Sequence, residues 1–289
     1  MIKLLALDLD GTLLNSKGEV SEANITAIRA AEERGVLVTI ATGRRFRDAQ
    51  PVAIKSELNA PILTHNGALA KYAESLEVVN ATLLPINATQ NVLKIGKDFG
   101  VDAMLSCNPI GKGVLLYDNI SPDNLPLQKY IAWSKRINGG GVEAEESVRH
   151  VESLREAVGE VETIHVAFSG SCAKMTELQS ILNTELSGQV RVLATVYTSL
   201  NFTLLDILHP DASKGHGVKN LADLNGIVAS EIMTMGDNFN DVEMLEYAGT
   251  PVVMGNAEPE LLENPRYNQT LSNDENGVAI AIERFILEK

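Results

Sequence analysis

The chain has 289 residues, 45% hydrophobic and 21% charged, with 24 Lys and Arg against 38 Asp and Glu and a formal net charge of −14. Nucleic-acid affinity comes chiefly from Lys and Arg displacing counterions, so this balance excludes a phosphate-backbone binder. Any anionic ligand must then be held by a local cluster of positive groups or by a metal ion. The composition is that of an ordinary globular protein of about two domains, and two cysteines, Cys107 and Cys172, are too few for a disulfide framework or a multi-cysteine zinc site.

In chain order, Ile2 to Leu7 reads as a buried strand; it is neither a signal peptide nor a membrane span, and the reading is a cytoplasmic protein. Ser21 caps a helix through about Arg34, with Val20, Ile25, Ile28 and Ala31 spaced to pack inward and Gly35 as its stop. Val36 to Ala41 is a second strand, Arg47 to Leu58 a helix, and Ile62 to Thr64 a third short strand leading into the Asn66-Gly67 turn. Strands alternating with helices predict an α/β fold, a doubly wound, mostly parallel, Rossmann-like sheet.

From about Leu84 to Ile207 the texture changes. Strands are predicted at Val101 to Ser106, Val114 to Tyr117, Thr163 to Ser169, Val190 to Val196 and Phe202 to Ile207, and helices at Gln90 to Phe99, Asn124 to Lys135, Ser147 to Val158 and Ala173 to Leu186. Several of these strands alternate apolar and polar residues, as a sheet with one solvated face does. This block, residues 84–207, is predicted to be an α+β insertion that divides the core domain into 1–83 and 208–289. Asn138 to Gly141 reads as a turn without a ligand, and Glu143, Glu145 and Glu146 as a solvated loop. The parallel pattern returns with a helix from Lys214 to Leu224, a strand at Ile232 to Met235, a helix near Asp241 to Tyr247, a strand at Pro251 to Met254 and a last helix at Val278 to Leu287. Pro265 interrupts the approach to Ser272-Asn273-Asp274-Glu275-Asn276-Gly277.

The chemistry gathers where strands end. Asp8-Leu9-Asp10-Gly11-Thr12-Leu13 follows the first strand, Ala41-Thr42-Gly43-Arg44 the second, and Gly236-Asp237-Asn238-Phe239-Asn240-Asp241 a later one, while Ala212-Ser213-Lys214-Gly215 opens a helix. Open parallel sheets bind ligands beyond the carboxyl ends of their strands, so Asp8, Asp10, Thr42, Lys214, Asp237 and Asp241 gather at one edge if those strands are neighbours. Two carboxylates two residues apart can converge on one cation, and hard oxygen ligands suit Mg²⁺.

These segments, with Asn66-Gly67-Ala68 and Met254-Gly255-Asn256-Ala257, resemble the haloacid dehalogenase superfamily of phosphohydrolases, and the whole chain is similar to its Cof-type branch, whose large α+β cap (class IIB) lies between the second and third motifs. The resemblance implies a Mg²⁺-dependent phosphatase of a small phosphorylated metabolite, with a sugar phosphate as the leading substrate, and a cap acting as a lid that selects the leaving group. Asp8 is then the nucleophile that becomes an aspartyl phosphate, and Asp10 the acid and base that protonates the leaving alkoxide and activates water. Mg²⁺ is held by Asp8, the Asp10 carbonyl and Asp237, with Asn238 and Asp241 behind them. Lys214, Thr42, Gly43 and Leu9 contact the phosphoryl group. Asn240 is a further phosphate or shell contact.

Several residues keep two readings. Arg44 contacts substrate or pairs with an acidic neighbour, and Asn66 lines the site or serves only the Asn-Gly turn. The five histidines show no metal-ligand spacing, so His216 reads as a helix-surface residue. Tyr117, Tyr130 and Trp133 read as core, and both cysteines as buried small hydrophobes. Two rivals to the phosphatase stand: a phosphomutase, which returns the phosphoryl group to its substrate, and a Mg²⁺-dependent phospho-receiver whose Asp8 stays phosphorylated. Neither nucleic acid nor membrane is an expected partner.

Overall fold

A computed structural model describes residues 1–137 and 146–288. The Gly run at 138–141, with Glu143 and Glu145, lies outside the described residues. The chain divides into two compact units, one of Met1–Arg44, Ala49–Val79 and Ser213–Lys289, the other of Arg45–Asp48 and Asn80–Ala212.

The first unit is built on a parallel five-stranded sheet in the order β14-β13-β12-β1-β2, with β1 at Leu4–Leu7, β2 at Leu37–Ile40, β12 at Ile232–Gly236, β13 at Thr250–Val253 and β14 at Asn268–Gln269. β1 pairs in register with β12 on one side, Leu7 beside Met235, and with β2 on the other, Leu7 beside Ile40. All four β1 residues are fully buried, as continuous apolar runs in parallel sheets are. Helix α1, Glu22–Glu33, is capped by Ser21, whose side chain accepts from the Asn24 amide, and buries Ile25, Ile28 and Ala31. Helix α2 runs from Phe46 to Lys55. Strands β3, Ile62–Thr64, β4, Leu69–Lys71, and β5, Val78–Ala81, form a small separate sheet, of which only β3 was expected. Pro265 falls in the turn before β14, which is reduced to two residues at the sheet edge, where a missing N–H costs least.

The second unit is a six-stranded sheet in the order β10-β11-β9-β6-β7-β8: β6 is Ala103–Cys107, β7 Val114–Tyr117, β8 Val148–His150, β9 Thr163–Gly170, β10 Arg191–Tyr197 and β11 Phe202–Leu208. It is antiparallel except between β7 and β8. Leu105, Val166, Phe168, Leu205 and Ile207 share a core with Val92 and Leu93 of α3, Ile86–Phe99, and with Met175, Leu178 and Leu182. Met104, Leu115 and Ala167, which alternate with them, meet Leu127 and Ile131 of α4, Leu125–Ile137.

The helix expected over Ser147 to Val158 is corrected: Val148–His150 is the edge strand β8, and the helix α5 is only Leu154–Ala157, capped by Ser153. Val148 finds its apolar partners on the sheet and α4, and Ser153 starts a new helix by accepting from the Glu156 amide. Cys107 is buried, but Cys172, which opens helix α6, Cys172–Glu185, is only half-buried, because this helix turns Met175, Leu178 and Leu182 inward instead.

Candidate active site

Asp8 extends β1, its amide donating to the Met235 carbonyl at 2.9 Å, and its carboxylate lies just past the strand end. Two main-chain bonds close the following loop, Leu13 to the Asp8 carbonyl and Leu14 to the Leu9 carbonyl. Leu9 turns its side chain wholly into the core, so it offers only main chain to a ligand. Gly11 has φ +79°, and a methyl group there would overlap the Asp237 carboxylate; the Asp-x-Asp-Gly spacing thereby brings Asp237 against the loop. The Thr12 hydroxyl donates to Asp237 Oδ1 at 2.8 Å.

Lys214 opens α7, Lys214–Leu224, behind Ser213, whose side chain accepts from the His216 amide. Its Nζ donates to Asp8 Oδ1 at 2.5 Å and to Asp241 Oδ1 at 2.6 Å, and the three side chains are almost fully buried. The other Asp241 oxygen accepts from the amides of Asp237 and Asn238 at 3.0 Å each, which ties down the loop after β12. Burial acts against the Lys214 charge, but Asp241 and Asp8 outweigh it and hold the ammonium above its ordinary range. Burial and the nearby Asp241 raise the carboxyl of Asp8 well above the usual range and that of Asp237 to about 6.

Carboxylate oxygens of Asp8, Asp237 and Asp241 lie within 4.8 Å of one another. Three carboxylates face one ammonium here, an excess of negative charge that a hard divalent cation would compensate. Asp241 is already committed to Lys214 and two amides, so Asp8 and Asp237 are the carboxylates with oxygens to offer.

Asp10, its side chain 58% exposed, stands apart from this buried group and accepts from Arg44 Nε at 2.8 Å and Nη2 at 2.5 Å. Arg44 is thus paired with an acidic neighbour here. Thr42 is buried and its hydroxyl accepts from the Arg44 amide. The turn after β3 is left-handed at His65, Asn66 and Gly67, φ +52°, +52° and +84°. That unusual backbone brings Asn66 beside Gly43, where its amide donates to the Thr42 carbonyl and its side-chain oxygen accepts from Asn240. Asn66 therefore does more than turn the chain. His216 is part-exposed, its Nδ1 2.9 Å from Ser213 Oγ.

Thr12, Asn256 and Asn273 were given no role from sequence, although all three sit inside quoted motifs. Their contribution is to hold loops, by bonds to Asp237, Gly11 and Leu14, and these are tertiary contacts that no local pattern announces. Among the described residues, no helix is long and apolar enough to cross a membrane.

The family model for haloacid dehalogenase-like hydrolases matches residues 5–282. The Bacillus subtilis protein YxeH is 31% identical over 294 residues, covering all of both chains. The 5-amino-6-(5-phospho-D-ribitylamino)uracil phosphatase YwtE of Bacillus subtilis is 30% identical, covering 99% of this chain and 98% of its own. The crystal structure of a haloacid dehalogenase-like hydrolase from Bacteroides thetaiotaomicron superposes with a TM-score of 0.78 at 26% identity, covering 99% of this chain and 100% of its own. The chain belongs to the haloacid dehalogenase-like hydrolases, as a phosphatase of the Cof-type branch.

Proposed function

We propose that the enzyme is a Mg²⁺-dependent phosphomonoesterase working through an aspartyl phosphate on Asp8, with a small sugar or sugar-alcohol phosphate as substrate. The buried Lys214, bonded at once to Asp8 and Asp241, carries the reading, because it holds one Asp8 oxygen in place and presents a fixed positive charge beside the attacking group. Asp8 attacks phosphorus, the ester P–O bond breaks, and the leaving alkoxide takes a proton from Asp10. Water then attacks the acyl phosphate while Asp10 takes its proton, and phosphate leaves with Asp8 regenerated. Asp8, Asp237 and the Asp10 carbonyl would hold Mg²⁺, which when bound neutralises charge between carboxylate and phosphate. Thr42, Gly43, Asn66 and Asn240 line the phosphoryl position, and the inserted unit selects the leaving group. The name of YwtE, a phosphatase of a phosphorylated ribityl chain, supports the substrate class.

Phosphate release from a panel of phosphorylated sugars, sugar alcohols, nucleotides and cofactors, with and without Mg²⁺, tests the proposal. Release should require Mg²⁺, vanish in Asp8→Asn and fall by about 10²–10⁴-fold in Asp10→Asn. Full activity in Asp8→Asn would sink the covalent route; an isomerised substrate without free phosphate would indicate a mutase, and a lasting phosphoryl group on Asp8 a receiver.

A further inference from the structure

We infer that Asn256 and Asn273 are positioning residues for the Asp10 carboxylate, acting through the main chain of the Gly11–Leu14 loop. The inference rests on the acid and base role given to Asp10. That carboxylate is largely exposed, and Arg44 bonds both of its oxygens, Nε to Oδ2 at 2.8 Å and Nη2 to Oδ1 at 2.5 Å. Arg44 fixes the outer end of the side chain, while the backbone on which it stands fixes the inner end, and the next carbonyl, that of Gly11, accepts from Asn256 Nδ2 at 2.8 Å. Asn273 Nδ2 donates to the Leu14 carbonyl at 2.8 Å, and the Asn273 amide donates to Asn256 Oδ1 at 2.9 Å. Two asparagines joined in this way grip both ends of the four-residue segment. Asparagine suits the task because its short side chain offers a donor and an acceptor together. Just beyond, Asp274 accepts from the Ser16 amide at 2.9 Å and from the Ser16 hydroxyl.

The gripping loop is itself fixed. The Gly255 amide donates to the Leu271 carbonyl at 3.1 Å, the Gly277 amide to the Ser272 carbonyl at 3.0 Å, and a methyl group on Gly277 would overlap the Leu271 carbonyl. Ser272 Oγ donates to Glu275 at 2.6 Å. Among the described residues, neither asparagine side chain bonds Asp8, Lys214 or Asp237. Their effect on catalysis thus passes through the loop, which carries Asp10 on one side and, through the Thr12 hydroxyl, touches Asp237 on the other. A loss by way of Asp237 would fall on all substrates alike, a loss by way of Asp10 only on those whose leaving group needs a proton.

Leaving-group chemistry separates these. A p-nitrophenolate leaves without a proton, whereas a sugar or glycerol alkoxide needs one. The ratio of kcat/KM between the fastest alkyl phosphate of the panel and p-nitrophenyl phosphate therefore reads Asp10 placement. In Asn256→Ala and Asn273→Ala, kcat/KM should fall about 10–100-fold for the alkyl phosphate and less than about 3-fold for p-nitrophenyl phosphate, since misplacement of a catalytic group by about 1 Å costs on that order. Asn256→Asp, which keeps the acceptor for Asn273 and loses the donor to Gly11, should show the same selective loss in a protein whose loop contacts are otherwise retained. Equal losses on both phosphates, or none, would overturn the inference. Asp10→Asn is the control: if it too lacks the selective loss, the acid role fails and the positioning role falls with it, whereas selective loss in Asp10→Asn alone refutes the positioning role and leaves the acid role standing.

Discussion

Lys214 keeps its charge where burial alone would remove it, because Asp8 and Asp241 lie 2.5 and 2.6 Å away. His165 on β9 is in the opposite position. Burial, reinforced by the Arg45 guanidinium, pushes its imidazole down to about 3 although Asp206 Oδ1 is 3.6 Å from Nε2. Arg45 is itself engaged by Asp48 at 2.8 and 2.9 Å, by Tyr130 and by Ser134. The sign for stability follows. Between pH 6.5 and about 3 the unfolded chain binds a proton at His165 that the folded chain refuses, so stability is retained above pH 6.5 and lost as the pH falls through that window. The loss attributable to this residue should be roughly 1 kcal/mol per pH unit. Urea unfolding at pH 7 and pH 4.5 checks it: His165→Gln should lose less stability between the two than the parent, and an equal loss would show that His165 is protonated in the fold. Lys214 was legible only through its Ser-Lys-Gly setting, and His165 not at all, since its burial depends on adjacent strands and on Arg45, 120 residues away by the chain numbering.

At the level of elements, runs with a single dominant contact were legible. β1, β2, α1 and β12 carry their apolar residues at the spacing their surroundings require, and Ser21, Ser213 and Ser171 cap helices through local bonds. The stretch from Ser147 to Val158 was not, since Val148 joins the sheet through pairing with Leu115, a contact with no local signature. The turn between β3 and β4 lies between these cases: Asn66-Gly67 announces a turn, but not that it abuts the start of α7. A methyl group on Gly67 would overlap the Ser213 carbonyl and lie 3.3 Å from the Lys214 amide, at a φ of +84° that other residues adopt only with strain. Gly67→Ala should therefore displace the first turn of α7 and with it Lys214. The expected result is a fall in kcat of about 10-fold or more, with stability lowered by about 1–3 kcal/mol. Gly226→Ala, also at positive φ but facing open space, supplies the comparison: it should lose stability while kcat stays within about 2-fold of the parent. Equal effects on kcat in both variants would reduce the Gly67 effect to general destabilisation.

Across the whole molecule, parallel-sheet texture stops and resumes along the sequence, which is the ground for expecting a core interrupted by an insertion. The unit boundaries at Val79/Asn80 and Ala212/Ser213 fall several residues outside the expected 84 and 207, and Arg45–Asp48 groups with the second unit; both depend on packing that hydropathy does not record. Net charge, in contrast, is a property of the sequence as a whole and makes a prediction of its own. A formal charge of −14 repels a phosphate dianion at long range, while the local positive charges of Lys214 and Arg44 are each spent on carboxylates. Salt shortens the screening length from about 30 Å at 0.01 M to about 8 Å at 0.15 M, which weakens the distant repulsion much more than contacts inside the site. At fixed free Mg²⁺, kcat/KM for a dianionic sugar phosphate should therefore rise about 2–5-fold as NaCl is raised from about 10 to about 150 mM, with kcat nearly unchanged, since kcat begins from bound substrate. An enzyme steered by a positive cleft would show the reverse. A steep fall in kcat/KM with salt would mean that the site's local field, rather than the acidic surface, governs the approach of substrate.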